Sequence, residues 1–308
     1  MTGPGHFPES LEMRGCSFMG HAALRTSGSM DAKKRIVSDF FDNDARFWKD
    51  VYEEGPHFTY LAAHEMKRRL KVAVESFVAL NRSQRARVLD AGCGAGELSR
   101  TVAELGHDVF CMDLANEMLF TAREKVSENG FRPVLMQGDI EHLPFEDESL
   151  DTVFSLGVLQ YLPTDEKAVG EIGRVLKKDG LAIISLPNMT RMSVFLDAYY
   201  LKRIMDYVRI KKLKWKSDGT AQPDSLATNT AFANRKYTYG RLNQAFVRAR
   251  LVETARASIG FGPFLFLGRS IFSMEADKRI SDRLEGALER FAPLKYLANR
   301  WVITLRKR

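Results

Sequence analysis

Apolar residues along the chain change rhythm twice, and each change marks a boundary. From Asp31 to about Leu80 they recur at helical spacing. Ile36, Phe40, Phe41, Phe47, Trp48 and Tyr52 form an aromatic-rich stretch, and Met66, Leu70, Val74, Phe77 and Val78 a stripe at intervals of three and four among basic residues. Gly55-Pro56 separates the two. Short apolar runs then alternate with helical stretches. Arg87–Ala91 predicts a strand, 97–105 a helix closed by Gly106, 107–113 a second strand and 116–129 a helix closed by Gly130. Residues 133–137 predict a third strand, Leu150–Leu156 a fourth, 165–176 a helix and 181–186 a fifth strand after an Asp179-Gly180 turn. Parallel strands need crossover helices, so this alternation predicts a parallel sheet with helices on both faces.

After Pro187 the alternation stops. Met192, Phe195, Leu196, Tyr199 and residues 201–208 predict a long basic amphipathic helix, and a Ser/Thr/Asn-rich stretch follows at 217–234. Residues 239–250 read as helix, and 252–259 and 300–305 as two last strands pairing antiparallel at one sheet edge. The expected fold is α/β and Rossmann-like, with a mostly parallel seven-stranded sheet. The expected parts are a flexible leader (1–29), an N-terminal helical lid (30–83), the α/β core (84–190), a helical insertion (191–238) and the C-terminal part of the core sheet (239–308).

The 308 residues are 45% hydrophobic and 28% charged, an ordinary globular composition long enough to bury a core. No apolar run approaches the ~18 residues of a spanning helix, and no basic-then-apolar segment marks a secretion signal. Cys16, Cys93 and Cys111 show neither pairing nor metal-ligand spacing, which predicts small buried hydrophobes, no metal and a cytoplasmic location. The net charge of +7 is local: residues 201–216 hold seven basic residues against one acidic, and the chain ends Arg306-Lys307-Arg308. Such placement suits a solvated helix face, an acidic small molecule, an anionic membrane surface or nucleic acid.

The chemistry concentrates in VLDAGCGAGELSR, residues 88–100, where Gly92, Gly94 and Gly96 lie between a strand and a helix. Glycines there let a ligand lie against bare backbone, and the helix start offers free N–H groups. A dinucleotide fingerprint asks for Gly or Ala where this chain has Glu97, so a cofactor without phosphate fits better. Asp90 is placed to accept from an amino group. Asp113, ending the second strand, can take two ribose hydroxyls. Asp139 follows the third strand and can accept from an adenine amino group, with Leu114 and Ile140 sandwiching the ring. Leu156, Gly157 and Gln160 border the same sheet edge, where open α/β sheets bind ligands. Taken singly, each has a plain reading: a glycine turn, a helix cap, a turn residue.

Together, VLDAGCGAGELSR, CMDLANEML, GDIEHLPFEDESLDTVFSLGVLQYLP and EIGRVLKKDGLAIISLPN resemble the class I S-adenosylmethionine-dependent methyltransferases over residues 87–187. The resemblance implies S-adenosylmethionine as cofactor. It puts Gly92, Gly94 and Gly96 along the methionine moiety, Asp113 on the ribose, Asp139 and Ile140 on the adenine and Met118 beside them. Many relatives carry His where this chain has Gln160 or Tyr161, so a base at that position is not on offer here.

Methyl transfer from a sulfonium needs alignment more than activation, and a base only when the acceptor must lose a proton. His57, His64 and Tyr199 are the catalytic candidates, Trp48 and Tyr52 candidate lid residues, and Met192, Phe195, Tyr199 and Tyr200 a candidate roof. The expected acceptor is a small molecule, apolar or anionic: a natural-product, quinone-like or lipid- or sugar-linked intermediate methylated on oxygen or carbon. Phe261 to Leu267 (FGPFLFL) reads as a buried loop or a peripheral contact with a membrane or partner. The alternatives are an RNA-directed methyltransferase, against which stands the lack of a recognisable RNA-binding module, and a non-catalytic cofactor-binding scaffold.

Overall fold

In the computed structural model, consecutive residues of the central strands sort to opposite faces of one sheet, as a period of two demands. Leu89, Val153, Ile184, Trp301 and Ile303 enter one core. Their neighbours Val88, Phe154, Ile183 and Val302 enter the other. The structure describes residues 32–43, 45, 48, 60–127, 130–188, 239–262, 264–266, 269–270, 272–288, 291 and 296–308.

The described elements are α1 (Ala32–Asn43), α2 (Tyr60–Leu80), β1 (Arg87–Ala91), α3 (Glu97–Glu104), β2 (Asp108–Asp113), α4 (Asn116–Ser127), β3 (Val134–Gln137), β4 (Leu150–Leu156), α5 (Glu166–Val175) and β5 (Leu176–Pro187). They continue as α6 (Tyr239–Arg248), β6 (Leu251–Ile259), β7 (Leu265–Phe266), β8 (Arg269–Ser270), α7 (Met274–Leu288) and β9 (Arg300–Lys307). The seven-stranded sheet has the order β3-β2-β1-β4-β5-β9-β6, and β7 and β8 form a separate pair. The first five strands are parallel; β9 runs antiparallel between β5 and β6. The mostly parallel seven-stranded fold and its antiparallel edge pair are therefore as read.

Buried apolar side chains of α2, α3 and α4 cover one face, among them Phe77, Val102 and Ala122. Those of α5 and α6, including Ile172 and Phe246, cover the other. A sheet sealed on both faces leaves its strand ends as the place for a ligand. Among the described residues no helix is long and apolar enough to cross a membrane.

Two details differ from the sequence reading, and a third follows one of its two alternatives. The fifth strand begins at Leu176, five residues early, because Leu176 already pairs with Leu150 of β4 ahead of the polar stretch Lys177–Asp179. Register shifts between Leu150 and Thr152 of β4, and Asp179 takes a φ of 62°, so the expected turn is a bulge within the strand. Phe261 and Phe264 are buried with Ala298 against Ile280 and Leu284 of α7, so this part of FGPFLFL is core rather than a contact surface. The predicted basic helix and polar stretch, with Met192, Phe195, Tyr199 and Tyr200, lie outside the described residues.

Candidate functional site

A cleft opens over the carboxyl ends of β1, β2 and β4. Its walls include Asp90, Gly92, Gly94, Asp113, Leu114, Met118, Asp139, Ile140, Leu156 and Gln160. The strand order brings these together: β1 is flanked by β2 and β4, and β3 lies beyond β2.

The glycines have separate jobs. A Cβ on Gly94 would meet nothing within 4 Å, so this residue bares its backbone to open space, at φ 53°. Gly96 does not line the cleft. At φ 85° a Cβ there would sit 2.8 Å from the Ala122 Cα, so Gly96 lets α3 start tight against α4. Gly96 is thus a packing glycine in this structure, whereas Gly92 and Gly94 line the cleft. Gly96→Ala is expected to cost about 1–3 kcal/mol from φ strain alone, measurable as a lower denaturation midpoint.

Asp113 fastens the floor. Its Oδ2 accepts from Gly94 N at 2.9 Å and its Oδ1 from Ala115 N at 3.0 Å. A carboxylate oxygen has a second lone pair, so both remain able to accept from a ligand. Burial raises its pKa, and the backbone bonds from Ala115 and Gly94 oppose that rise. Asp90 is 2% exposed and accepts from Ser99 Oγ at 2.7 Å. Burial first, and the charge of Asp113, push its pKa up to about 7, while the Ser99 bond and Arg69 pull it down.

At the far end, Asp139 Oδ2 accepts from Lys34 Nζ at 2.5 Å, and Glu141 pairs with the same ammonium. Asp139 Oδ1 accepts from Glu141 N at 3.0 Å. Helix α1 carries that lysine and is seated by two further bonds, Ser38 Oγ to Leu114 O at 3.3 Å and Glu117 N to Asp42 Oδ1 at 2.9 Å. Phe41 and Trp48 stack at 5.5 Å beside Met118, and Phe41 meets Tyr161 edge-on at 5.3 Å. Trp48 thus lines the cleft as the lid reading expected; Tyr52 and Phe47 lie outside the described residues.

Glu97 ties two helices together. It pairs with Lys125 of α4 and with Arg100 at 3.2 Å, so its charge is spent on joining α3 to α4. Cys93 and Cys111 are buried, as small hydrophobes are. The catalytic candidates fare differently. His64 lies outside the cleft, 3.2 Å from Asp282 in a depression shared with Lys67 and Arg68. His57 and Tyr199 are outside the described residues.

Sequence reasoning missed Lys34, Arg69 and Arg300, all of which line the cleft. Arg69 is 9% exposed, and a Cβ on Gly157 would lie 2.6 Å from its Nη1. The glycine after β4 thus makes room for a guanidinium. Arg300 opens β9 and donates from Nε to Glu65 Oε1 at 2.5 Å.

The cradle suits a ligand with a cationic amine, a carboxylate and a nucleoside. It offers a buried and a half-buried carboxylate, an open glycine floor, a guanidinium and a distant acidic acceptor.

Comparison with known proteins agrees. The family described as a methyltransferase domain matches residues 89–184. A malonyl-[acyl-carrier protein] O-methyltransferase of Pectobacterium atrosepticum is 37% identical over 94 residues, 30% of this chain and 36% of that one. A phosphatidylethanolamine N-methyltransferase of Cereibacter sphaeroides is 41% identical over 100 residues, 32% of this chain and 49% of that one. The chain thus spans half or less of these curated relatives. Among solved structures, the magnesium protoporphyrin IX methyltransferase of Synechocystis PCC 6803 with bound SAH has a TM-score of 0.58 at 17% identity, covering 90% of this chain and all (100%) of that one. The [4+2]-cyclase SpnF has a TM-score of 0.56 at 16% identity, covering 89% and 96%. Its name shows that this fold also serves other chemistry, so the residues of the cleft must carry the functional reading. Residues 89–184 thus match a methyltransferase domain, and the fold is that of the class I S-adenosylmethionine-dependent methyltransferases.

Proposed function

We propose that this protein transfers the methyl group of S-adenosylmethionine to a small-molecule acceptor, on oxygen or carbon. One observation supports this above the rest: Asp90, Asp113 and Asp139 stand at the ends of neighbouring strands around the bare Gly94 backbone, with Arg69 in the same cleft. In this reading Asp113 takes the ribose hydroxyls, Asp139 the adenine amino group, and Asp90 the α-amino group. Leu114 and Ile140 flank the ring, with Met118 beneath. Arg69 takes the methionine carboxylate. The bound sulfonium supplies a methyl group already activated for displacement. The chain's own residues hold, align and dry the reactants. Lys34 holds Asp139 in place as an acceptor, and Phe41 and Trp48 close the apolar side of the cleft.

A nucleic-acid acceptor has less support. Two cationic cleft residues are already paired within the protein, Lys34 with Asp139 and Arg300 with Glu65. Binding to tRNA that falls steeply with salt would favour it instead. Turnover of any acceptor excludes a scaffold role.

Calorimetry with S-adenosylhomocysteine tests the donor site. Arg69→Met is expected to weaken this product about 10- to 100-fold, the scale of a charge-assisted hydrogen bond. Methylthioadenosine, which lacks the amino-acid tail, should bind variant and parent alike. Equal losses for both compounds would mean that Arg69 only supports the fold.

A further inference from the structure

We propose that Cys93 and Cys111 form an oxidisable pair beneath the donor site: a peroxide joins them in a disulfide that loosens the Gly94 floor, and bound donor prevents it. This rests on the donor-site reading above and adds regulation of that same site.

The backbone brings the two cysteines together. The glycine turn bends back over β2, with Gly92 N and Cys93 N both donating to Met112 O, at 2.7 and 3.0 Å. Cys93 is thereby set beside Cys111, the residue before Met112. Both side chains enter the core that α2, α3 and α4 cover. Their thiols share a hydrogen bond; with burial and the charges of Asp113 and Asp90, it raises the Cys93 pKa. The Cys93 thiol therefore stays protonated and reacts slowly, so the pair answers sustained oxidation rather than a brief pulse.

Access differs between the two. Cys93 lines the cleft and is 8% exposed, whereas Cys111 is 0% exposed. A peroxide entering the donor-free cleft meets Cys93 first. The Cys93 sulfur attacks one peroxide oxygen, the O–O bond breaks, water leaves and a sulfenic acid remains. The Cys111 sulfur then attacks the Cys93 sulfur. The S–O bond breaks, and the hydroxyl leaves with the Cys111 proton as a second water. Two thiols and one hydrogen peroxide become one disulfide and two waters; the sulfurs give up two electrons and the peroxide takes them. A donor lying on the bare Gly94 backbone covers the approach to Cys93.

The disulfide is costly to the floor. Bonded sulfurs stand about 2.05 Å apart, far closer than hydrogen-bonded thiols, so one cysteine must move. Cys111 is held from both sides, opposite Asp90 of β1 and Leu135 of β3. Cys93 lies between Gly92 and Gly94, at φ 83° and 53°, where the backbone is free to turn. Cys93 is therefore drawn toward the core and pulls Gly94 with it. Gly94 N is the group that donates to Asp113 Oδ2 at 2.9 Å. Loss of that bond tilts the floor and unsettles the carboxylate assigned to the ribose. The coupling is reciprocal: the factor by which the disulfide weakens donor binding is the factor by which donor disfavours the disulfide.

The test equilibrates the full chain in glutathione buffers of graded potential, or treats it with hydrogen peroxide, with and without S-adenosylhomocysteine. Trypsin separates Cys93 (residues 88–100) from Cys111 (residues 101–123), so a cross-link between those two peptides identifies the bond. Calorimetry should show the oxidised protein binding S-adenosylhomocysteine at least about tenfold more weakly. Dithiothreitol, which leaves oxidised methionine as it is, should restore the affinity. S-adenosylhomocysteine should raise the midpoint potential of the pair by about 30 mV for each tenfold of coupling. Cys111→Ala should bind like the reduced parent and lose no affinity to peroxide. Cys93→Ala should be equally insensitive to peroxide, which keeps the test decisive if the first variant does not fold. Failure of the two peptides to cross-link, a link from Cys93 to Cys16 instead, a link that leaves affinity unchanged, or a loss that persists in the cysteine variants overturns the proposal. If the reduced parent does not bind S-adenosylhomocysteine, the donor reading falls; if it binds and oxidation changes nothing, only this inference falls.

Discussion

Asp90→Asn is expected to make the donor-free protein more stable at pH 8 and to weaken its hold on S-adenosylmethionine. Burial pushes the Asp90 carboxyl up to about 7, against an ordinary value of 3.8. Between those values the folded state binds a proton that the unfolded chain has released. Stability contributed by this group is therefore full below about pH 4 and is lost progressively as pH rises toward 7. By pH 8 the ionised carboxylate weighs against the fold by on the order of 2–4 kcal/mol. Asparagine removes that charge and can still accept from Ser99 Oγ, the bond that Asp90 makes at 2.7 Å. The melting temperature of Asp90→Asn should exceed that of the parent at pH 8, and the gap should shrink toward pH 5.

Function explains why an unfavourable carboxylate would stand there. An ammonium group placed against Asp90 holds it ionised and repels its proton, so binding releases that proton near neutrality. Donor affinity of the parent should rise from pH 6 to pH 8, and the rise should vanish in Asp90→Asn. That variant is a case of stability gained where binding is lost. A pH-independent affinity in the parent would separate Asp90 from the amino group.

The sequence disclosed the parts whose physics is local. Apolar periodicity gave β1, β2, β4, α3 and α5 to within a few residues, because a strand buried on both faces or a helix on one must be written that way. The cleft acids were legible because each stands at or just after the end of a strand. What stayed hidden depends on distant partners. Arg69 sits in KRRLK, which reads as a solvated helix face, yet it is inside the cleft. The available hint was Gly157, a glycine after β4 that takes a φ of 81° and leaves room for the guanidinium. Lys34 meets Asp139 across 105 positions, and Arg300 meets Glu65 across 235. Spacing along a chain cannot report such pairs. The start of β5 was hidden for the opposite reason: Lys177, Lys178 and Asp179 lack any apolar signal, and they bulge out between the paired Leu176 and Leu181. His64 drew notice only as a histidine; its contact with Asp282 lies outside the cleft.

Asp113→Ala should be the most damaging single change to donor binding. Both oxygens already hold backbone N–H groups, Gly94 through one and Ala115 through the other. Alanine would strand both donors and free the glycine floor, as well as removing the acceptor for two hydroxyls. Each charged hydrogen bond lost counts about 1.5–3 kcal/mol, so S-adenosylhomocysteine should weaken at least roughly a hundredfold. Asparagine is no conservative substitute, because its amide would point N–H at N–H on one side. The two contributions, floor and ribose, separate in a cycle with the 2′-deoxy analogue of S-adenosylhomocysteine. The parent should bind the analogue more weakly than the natural compound, having lost a partner for Asp113. In Asp113→Ala, where no carboxylate remains to be disappointed, the two compounds should bind alike. A deoxy penalty of the same size in both proteins would strip Asp113 of the ribose and leave it as a fastener of the Gly94 turn.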